Sequence, residues 1–299
     1  WLDIDWREHS RWVRVQDRWA NVVDYGEGRP VLFVHGLGGS WQNWLENIPA
    51  AAQAGYRAIA VDLPGFGASQ MPAEKISISG YGRFVEALLE ELGTGPVALV
   101  GNSMGGFIGA EVAIKFPEHL ERLVLVSAAG ISIEHQRNEP LLGALYRTER
   151  IATMAIAGLA SRAHVVSRRP RARKALMYVV AAHPDRLPPA LVAEQVRGAG
   201  KEGFLPALDA LTDYPIRERL SEIGRPTLVV WGADDRLVPV RDADTFEELI
   251  PDARKVVFED TGHVAMLERP ERFNRLLFDF LAEKPGEEVD ETSEAAVGD

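Results

Sequence analysis

The run Pro96-Val97-Ala98-Leu99-Val100 passes without a break into Gly101-Asn102-Ser103-Met104-Gly105-Gly106, and no other stretch restricts the fold as much. A continuous apolar run of this length reads as a strand buried on both faces, the habit of parallel sheets. Phe107 to Phe116 then has helical spacing, and Pro117 ends it. A serine between a buried strand and a helix, with glycine two places before and two after, satisfies G-x-S-x-G in the context that makes the pattern informative. The reason is steric, because a turn sharp enough to lift a serine above the sheet leaves no room for side chains at 101 and 105. Gly106, Gly109 and Ala110 keep the following helix thin where it nears the sheet. The plainer alternative is a glycine-rich turn with an incidental serine, and the strand–turn–helix placement weighs against it. A P-loop is excluded, since no Gly-Lys-Ser/Thr follows.

The rest of the chain repeats the alternation. Arg11 to Tyr25 reads as two short strands joined by a polar turn, and Pro30 to Val34 as a buried strand ending in His35-Gly36. A helix is expected over Trp44 to Ala54, a strand over Arg57 to Asp62, and a helix over Tyr81 to Leu92. Later strands are expected at Leu123 to Val126, Thr227 to Trp231 and Ala253 to Phe258, with helices at Asp242 to Ile250 and Phe273 to Leu281. Strands alternating with helices predict an α/β fold with a mostly parallel central sheet and helices on both faces. Ligands of such sheets sit outside the carboxyl ends of the strands. Residues 133–213 break the alternation, with helical segments at Ala172 to Ala182 and Pro189 to Val196 and no convincing buried strand. They read as a helical cap inserted into a core of residues 1–132 and 214–284. The acidic segment 285–299 reads as a disordered tail.

With 299 residues the chain can build one large core plus an inserted unit. A net charge of −11 argues against nucleic acid as partner. Zero cysteines removes disulfides, thiolate metal sites and cysteine nucleophiles, and fits a cytoplasmic location. The chain opens at Trp1, which leaves room for a removed signal peptide. No apolar run approaches the roughly 18–20 residues of a membrane span. A small molecule is the expected partner, with no metal or organic cofactor, and oligomeric state is not legible.

A serine nucleophile needs two donors for the oxyanion that forms on attack. The Met104 N–H, directly after Ser103, is one. The second is assigned to the Leu37 N–H, in the loop His35-Gly36-Leu37-Gly38-Gly39, where glycines let the backbone turn its amides inward. His35, at the very end of a strand, reads as a brace for that loop. Among seven histidines, His263 alone follows a late strand and sits in a tight Thr261-Gly262-His263 turn before the last helix, so it is the expected general base. The acid falls in Gly232-Ala233-Asp234-Asp235-Arg236-Leu237-Val238-Pro239, where spacing alone does not separate Asp234 from Asp235.

Taken together, these stretches and Asp62-Leu63-Pro64-Gly65-Phe66-Gly67 resemble the α/β-hydrolase superfamily over nearly the whole chain outside the cap and tail. The family pattern G-x-x-D-x-x-V-P implies that Asp235 is the acid orienting His263. Ser103 stands where the haloalkane dehalogenase and epoxide hydrolase branches carry aspartate. The turn Gly101 to Gly106 is similar to that of the hydrolases that cleave carbon–carbon bonds in ring-fission products of aromatic degradation. In those enzymes a tryptophan commonly follows the histidine, and a cap arginine binds a substrate carboxylate. Here Val264 follows His263 and no cap arginine can be matched, so ester hydrolysis, carboxylesterase-like, ranks first and carbon–carbon hydrolysis second. A non-catalytic receptor on the same fold is a third reading, disfavoured by the complete Ser, His and Asp set. Gly36, Gly38, Trp41, Asn102, Phe107 and Val264, with Leu37, are the expected substrate-binding residues. The run Arg168, Arg169, Arg171, Arg173 and Lys174 reads as the solvated face of a cap helix.

Overall fold

The computed structural model describes residues 1–132, 162–212 and 214–283. Eight strands form one sheet in the order β1-β2-β4-β3-β5-β6-β7-β8. They are β1 Ser10–Val15, β2 Arg18–Tyr25, β3 Arg29–Val34, β4 Tyr56–Val61, β5 Val97–Asn102, β6 Leu120–Val126, β7 Thr227–Gly232 and β8 Ala253–Phe258. β1 and β2 pair antiparallel, as do β2 and β4, and every other pair is parallel. The β1–β2 hairpin closes on Gln16 and Asp17, whose φ angles of 49° and 61° supply the twist a two-residue loop requires.

Helices cover both faces, as expected. α1 is Ile48–Gln53, α2 Ile78–Leu92 and α3 Met104–Lys115. α4 Ala163–Ser167, α5 Pro170–Met177, α6 Pro189–Arg197 and α7 Phe204–Thr212 fill the described part of the insertion. α8 Arg241–Leu249, α9 Ala265–Glu268 and α10 Pro270–Ala282 follow. Side chains of a strand alternate between faces, so a strand with no polar face needs a core on each side. Leu32 and Val34 of β3 pack with Leu88 of α2, Ile108 of α3 and Phe246 of α8. Val31 and Phe33 of the same strand pack with Ile48 of α1 and Phe273 and Leu277 of α10.

Two expected helices are shorter than their patterns. Trp44 to Ala54 resolves into a 3₁₀ turn at Trp41–Trp44 and α1, which starts afresh with Pro49 in its first turn. Ala172 to Ala182 resolves into α5, which ends at Met177. Residues 133–161, residue 213 and the tail 285–299, read from sequence as parts of the cap and as a disordered end, lie outside the described residues. No helix among the described residues is long and apolar enough to cross a membrane.

The chain enters the middle of the sheet at β3, steps to one side for β4, then to the other for β5. Sheets of this kind bind ligands where the order reverses, which here falls beyond the carboxyl ends of β3 and β5. The loop from His35 and the turn carrying Ser103 leave those two ends.

Candidate active site

Ser103 occupies that turn with φ 55° and ψ −116°, a conformation that L residues adopt only under constraint. Its N–H donates to Val126 O at 2.9 Å, and its carbonyl accepts from Phe107 N at 3.1 Å and Ala129 N at 3.1 Å. A Cβ at residue 101 would lie 2.2 Å from Gly105 O, and one at 105 would lie 2.2 Å from Val34 O. Both glycines are thus demanded by the fold. Met104 is the first residue of α3, so its N–H has no acceptor within the helix.

The loop after β3 lies against this turn, and a Cβ at Gly36 would stand 3.1 Å from Ser103 Cβ. Gly39 N–H closes onto Gly36 O at 3.0 Å, with Gly38 at φ 74°, so Leu37 sits at the head of a type II-like turn. His35 braces this loop as its position suggests. Its Nδ1–H donates to Gly36 O at 2.8 Å, and its Nε2 accepts from Leu63 N at 3.0 Å. Both nitrogens are committed to a neutral ring, and burial pushes its pKa below the ordinary 6.5, opposed by the nearby Asp62 charge. Asp62 Oδ1 accepts from Trp41 N at 2.8 Å, and its Oδ2 from Asn21 Nδ2 at 2.9 Å and Ala68 N at 2.8 Å. It joins the loops after β3 and β4, a role that its place in the sequence motif did not disclose.

After β7 the backbone turns so that Asp235 points inward. Its Oδ2 accepts from His263 Nδ1 at 2.7 Å, while its Oδ1 accepts from Leu237 N at 2.8 Å and Val238 N at 2.9 Å. The Asp235 carboxylate is completely buried and the His263 ring nearly so. Asp234 is exposed, and its N–H donates to Thr261 O at 2.9 Å. The pairing ambiguous in sequence is therefore resolved in favour of Asp235. With Nδ1 held by a carboxylate, His263 keeps Nε2 for another partner. Asn102 Nδ2 donates to Val126 O at 3.1 Å and to His263 O at 3.2 Å, which ties the serine turn to the histidine loop. A Cβ at Gly232 would meet Gly262 O at 2.1 Å, so the acid and histidine loops touch through glycine.

The other expected substrate-binding residues divide. Gly36, Gly38 and Leu37 share the loop against Ser103. Trp41 packs its ring at a tilt against Trp6, centroids 5.2 Å apart, in the core that holds Phe33 and Phe273, so the part of it tied to the site is its backbone N–H on Asp62. Phe107 is fully buried, edge-on to Tyr214 at 5.9 Å. Val264 is buried in the second core. In the basic run, Arg168, Arg169, Arg171 and Lys174 are exposed as expected, but Arg173 is buried and donates to Ser167 O at 3.0 Å and Asp185 O at 3.4 Å. It serves as a cap for backbone carbonyls inside the insertion.

The helical insertion meets loops that follow four strands. Gly203 N–H donates to Gly65 O at 3.1 Å, and Gln195 Nε2 to Gln42 O at 2.8 Å. Arg236 Nη1 donates to Tyr178 O at 2.6 Å and Ala181 O at 2.9 Å, with its guanidinium 4.6 Å above the Tyr178 ring. The Glu268 carboxylate accepts from Gly262, Ala182 and His183. Sequence reasoning assigned no role to Arg236 or Glu268, because both bind backbone groups of the insertion that are distant in sequence.

A profile of the alpha/beta hydrolase fold family matches residues 29–270. The chain is 33% identical over 273 residues to the 2-hydroxy-6-oxo-6-phenylhexa-2,4-dienoate hydrolase of Comamonas testosteroni, covering 87% of this chain and 90% of that one. It is 34% identical over 291 residues to the 2-hydroxy-6-oxononadienedioate/2-hydroxy-6-oxononatrienedioate hydrolase of Cupriavidus pinatubonensis, covering 91% and 95%. Among solved structures, an N-acyl homoserine lactone degrading enzyme superposes with a TM-score of 0.73 at 26% identity, covering 90% of this chain and 100% of that one. The strand order, the strained serine turn and these similarities agree, and the chain is a hydrolase belonging to the alpha/beta hydrolase fold family.

Proposed function

We propose that the chain hydrolyses the carbon–carbon bond beside the 6-oxo group of a 2-hydroxy-6-oxo-2,4-dienoate, a ring-fission product of aromatic degradation. The observation that carries this reading is the end-to-end similarity to two hydrolases whose names share that group. Sequence motifs alone rank ester hydrolysis first, because Val264 follows His263 and no cap arginine can be matched; the similarity to these relatives favours carbon–carbon hydrolysis instead.

Cleaving a ketone requires that the departing carbon can hold an electron pair. Moving the proton of the 2-hydroxyl to C5 turns the dienol into a 2-oxo-3-ene, and C5 can then leave as a dienolate. Ser103 Oγ, losing its proton to His263, attacks C6. The Leu37 and Met104 amides hold the oxyanion, and Asp235 stabilises the imidazolium without taking its proton. As the oxyanion collapses the C5–C6 bond breaks, the electron pair moves to the 2-oxygen, and that oxygen takes the proton from His263. Water activated by His263 then releases the acyl group. One water is consumed, giving a carboxylic acid and a 2-hydroxypenta-2,4-dienoate. Gly36, Gly38, Asn102 and Phe107 surround the reacting serine in this reading, and the insertion serves as the cap over it.

Ester hydrolysis is the second reading, since it uses the same acyl-enzyme and the same two amides. The similarity to a lactone-degrading enzyme and the presence of Val264 favour it. Steady-state assay of a yellow 6-phenyl dienone against a series of p-nitrophenyl esters separates the two. The proposal expects kcat/KM for the dienone to exceed that for every ester; the opposite order makes the chain an esterase.

A further inference from the structure

Glu268 lies five residues after His263, at the end of the short helix α9. Its Oε1 accepts from Gly262 N at 2.8 Å, and its Oε2 accepts from Ala182 N at 2.8 Å and His183 N at 3.2 Å. One carboxylate thus joins the residue immediately before His263 to the chain between α5 and α6 of the insertion. The joint has no slack, because a Cβ at Gly262 would meet Ala182 N at 2.7 Å and Glu268 Oε1 at 2.9 Å. On the other side, Arg236 beside Asp235 holds the Tyr178 and Ala181 carbonyls. The segment 178–183 therefore docks on the acid loop through a cation and on the histidine loop through an anion. Among the described residues no charged side chain donates to the Glu268 carboxylate, although the Arg269 charge lies near enough to favour its ionised form. Burial raises its pKa, against the pull of three backbone N–H groups, so a carboxylate is kept there at a cost in solvation.

We infer that Glu268 is a positioning residue, which sets His263 over Ser103 by clamping the Gly262 N–H to the docked insertion. This rests on the Ser103–His263–Asp235 reading of the site. Glu268→Gln keeps the size and one carbonyl acceptor, but its NH₂ faces N–H donors, so the clamp is lost on one side. The test is labelling by a fluorophosphonate, which reports activation of Ser103 whatever the natural substrate. The amplitude counts folded, reactive sites and the rate constant reports their alignment.

The expected result for Glu268→Gln is near-full amplitude with a rate constant roughly 10–100-fold lower, since small displacements of reacting groups cost rates of that order. On the substrate that turns over, kcat should fall in parallel while KM stays close to the wild-type value. A purely structural role would lower the amplitude and the melting temperature and leave the rate per labelled site unchanged, and that result overturns the inference. Glu268→Ala, which removes both acceptors, should be slower still if it folds. Failure of wild-type Ser103 to label would instead overturn the serine mechanism on which the inference rests.

Discussion

Asp234 and Asp235 are neighbours of the same type, yet their surroundings differ completely. Asp235 has one oxygen fixed by two N–H groups of its own turn and the other on His263, and Asp234 faces solvent. Asp235→Asn should therefore lower kcat by on the order of 10⁴, because an amide in place of Oδ2 no longer holds the Nδ1–H tautomer. Asp234→Asn should leave kcat within a few-fold of wild type. Steady-state kinetics of the two variants, with folding checked by circular dichroism, makes the comparison. Only family spacing separates these residues in the sequence. The reason one works and the other does not is the direction of a turn, which spacing does not encode.

The strand–turn–helix element at β5–α3 was legible because steric need is written into its composition. A residue at φ 55° beside two backbones closer than a methyl group allows leaves glycine as the only choice at 101 and 105. Gly105→Ala drives a Cβ to within 2.2 Å of Val34 O and 2.7 Å of His35 O. It should destabilise the fold by about 2–3 kcal/mol and displace the loop after β3, seen as a lower denaturation midpoint together with slower labelling of Ser103. Strands buried on both faces were equally legible as unbroken apolar runs. The insertion was legible only in part, with α6 lying where Pro189 to Val196 predicts a helix. α7 has no counterpart among the expected helices; its Pro206 lies in the first turn, where it breaks no hydrogen bond. α5 was drawn too long, since Ala181 continues its apolar spacing but packs from the loop that docks on Gly262.

At the scale of the whole molecule, the site is assembled from loops after β3, β5, β7 and β8, with the loop after β4 as a strut. His35 carries much of that joint, linking Gly36 to Leu63 as a neutral ring. Its pKa is lowered by burial from 6.5. The unfolded chain therefore binds a proton that the folded chain refuses as pH falls below about 6.5. The stability from this group is fully present above that value and drains away as pH falls toward its folded pKa. Denaturant unfolding at about pH 7.5 and about pH 5.5 should show a larger loss for the wild type than for His35→Gln. The difference is bounded by about 1.4 kcal/mol, the worth of one proton over one pH unit. An equal loss in both proteins would mean that the ring protonates in place.

Product analysis of a 6-phenyl dienone shows whether Ser103 cleaves a carbon–carbon bond by way of an acyl-enzyme, as we propose. Wild-type enzyme should convert the dienone into equal amounts of benzoate and 2-hydroxypenta-2,4-dienoate. Ser103→Ala, with the fold intact, should lose on the order of 10⁴–10⁶ in rate. Turnover that survives the loss of the hydroxyl would exclude Ser103 as the nucleophile, and a wild type that leaves the dienone intact while hydrolysing simple esters would be an esterase.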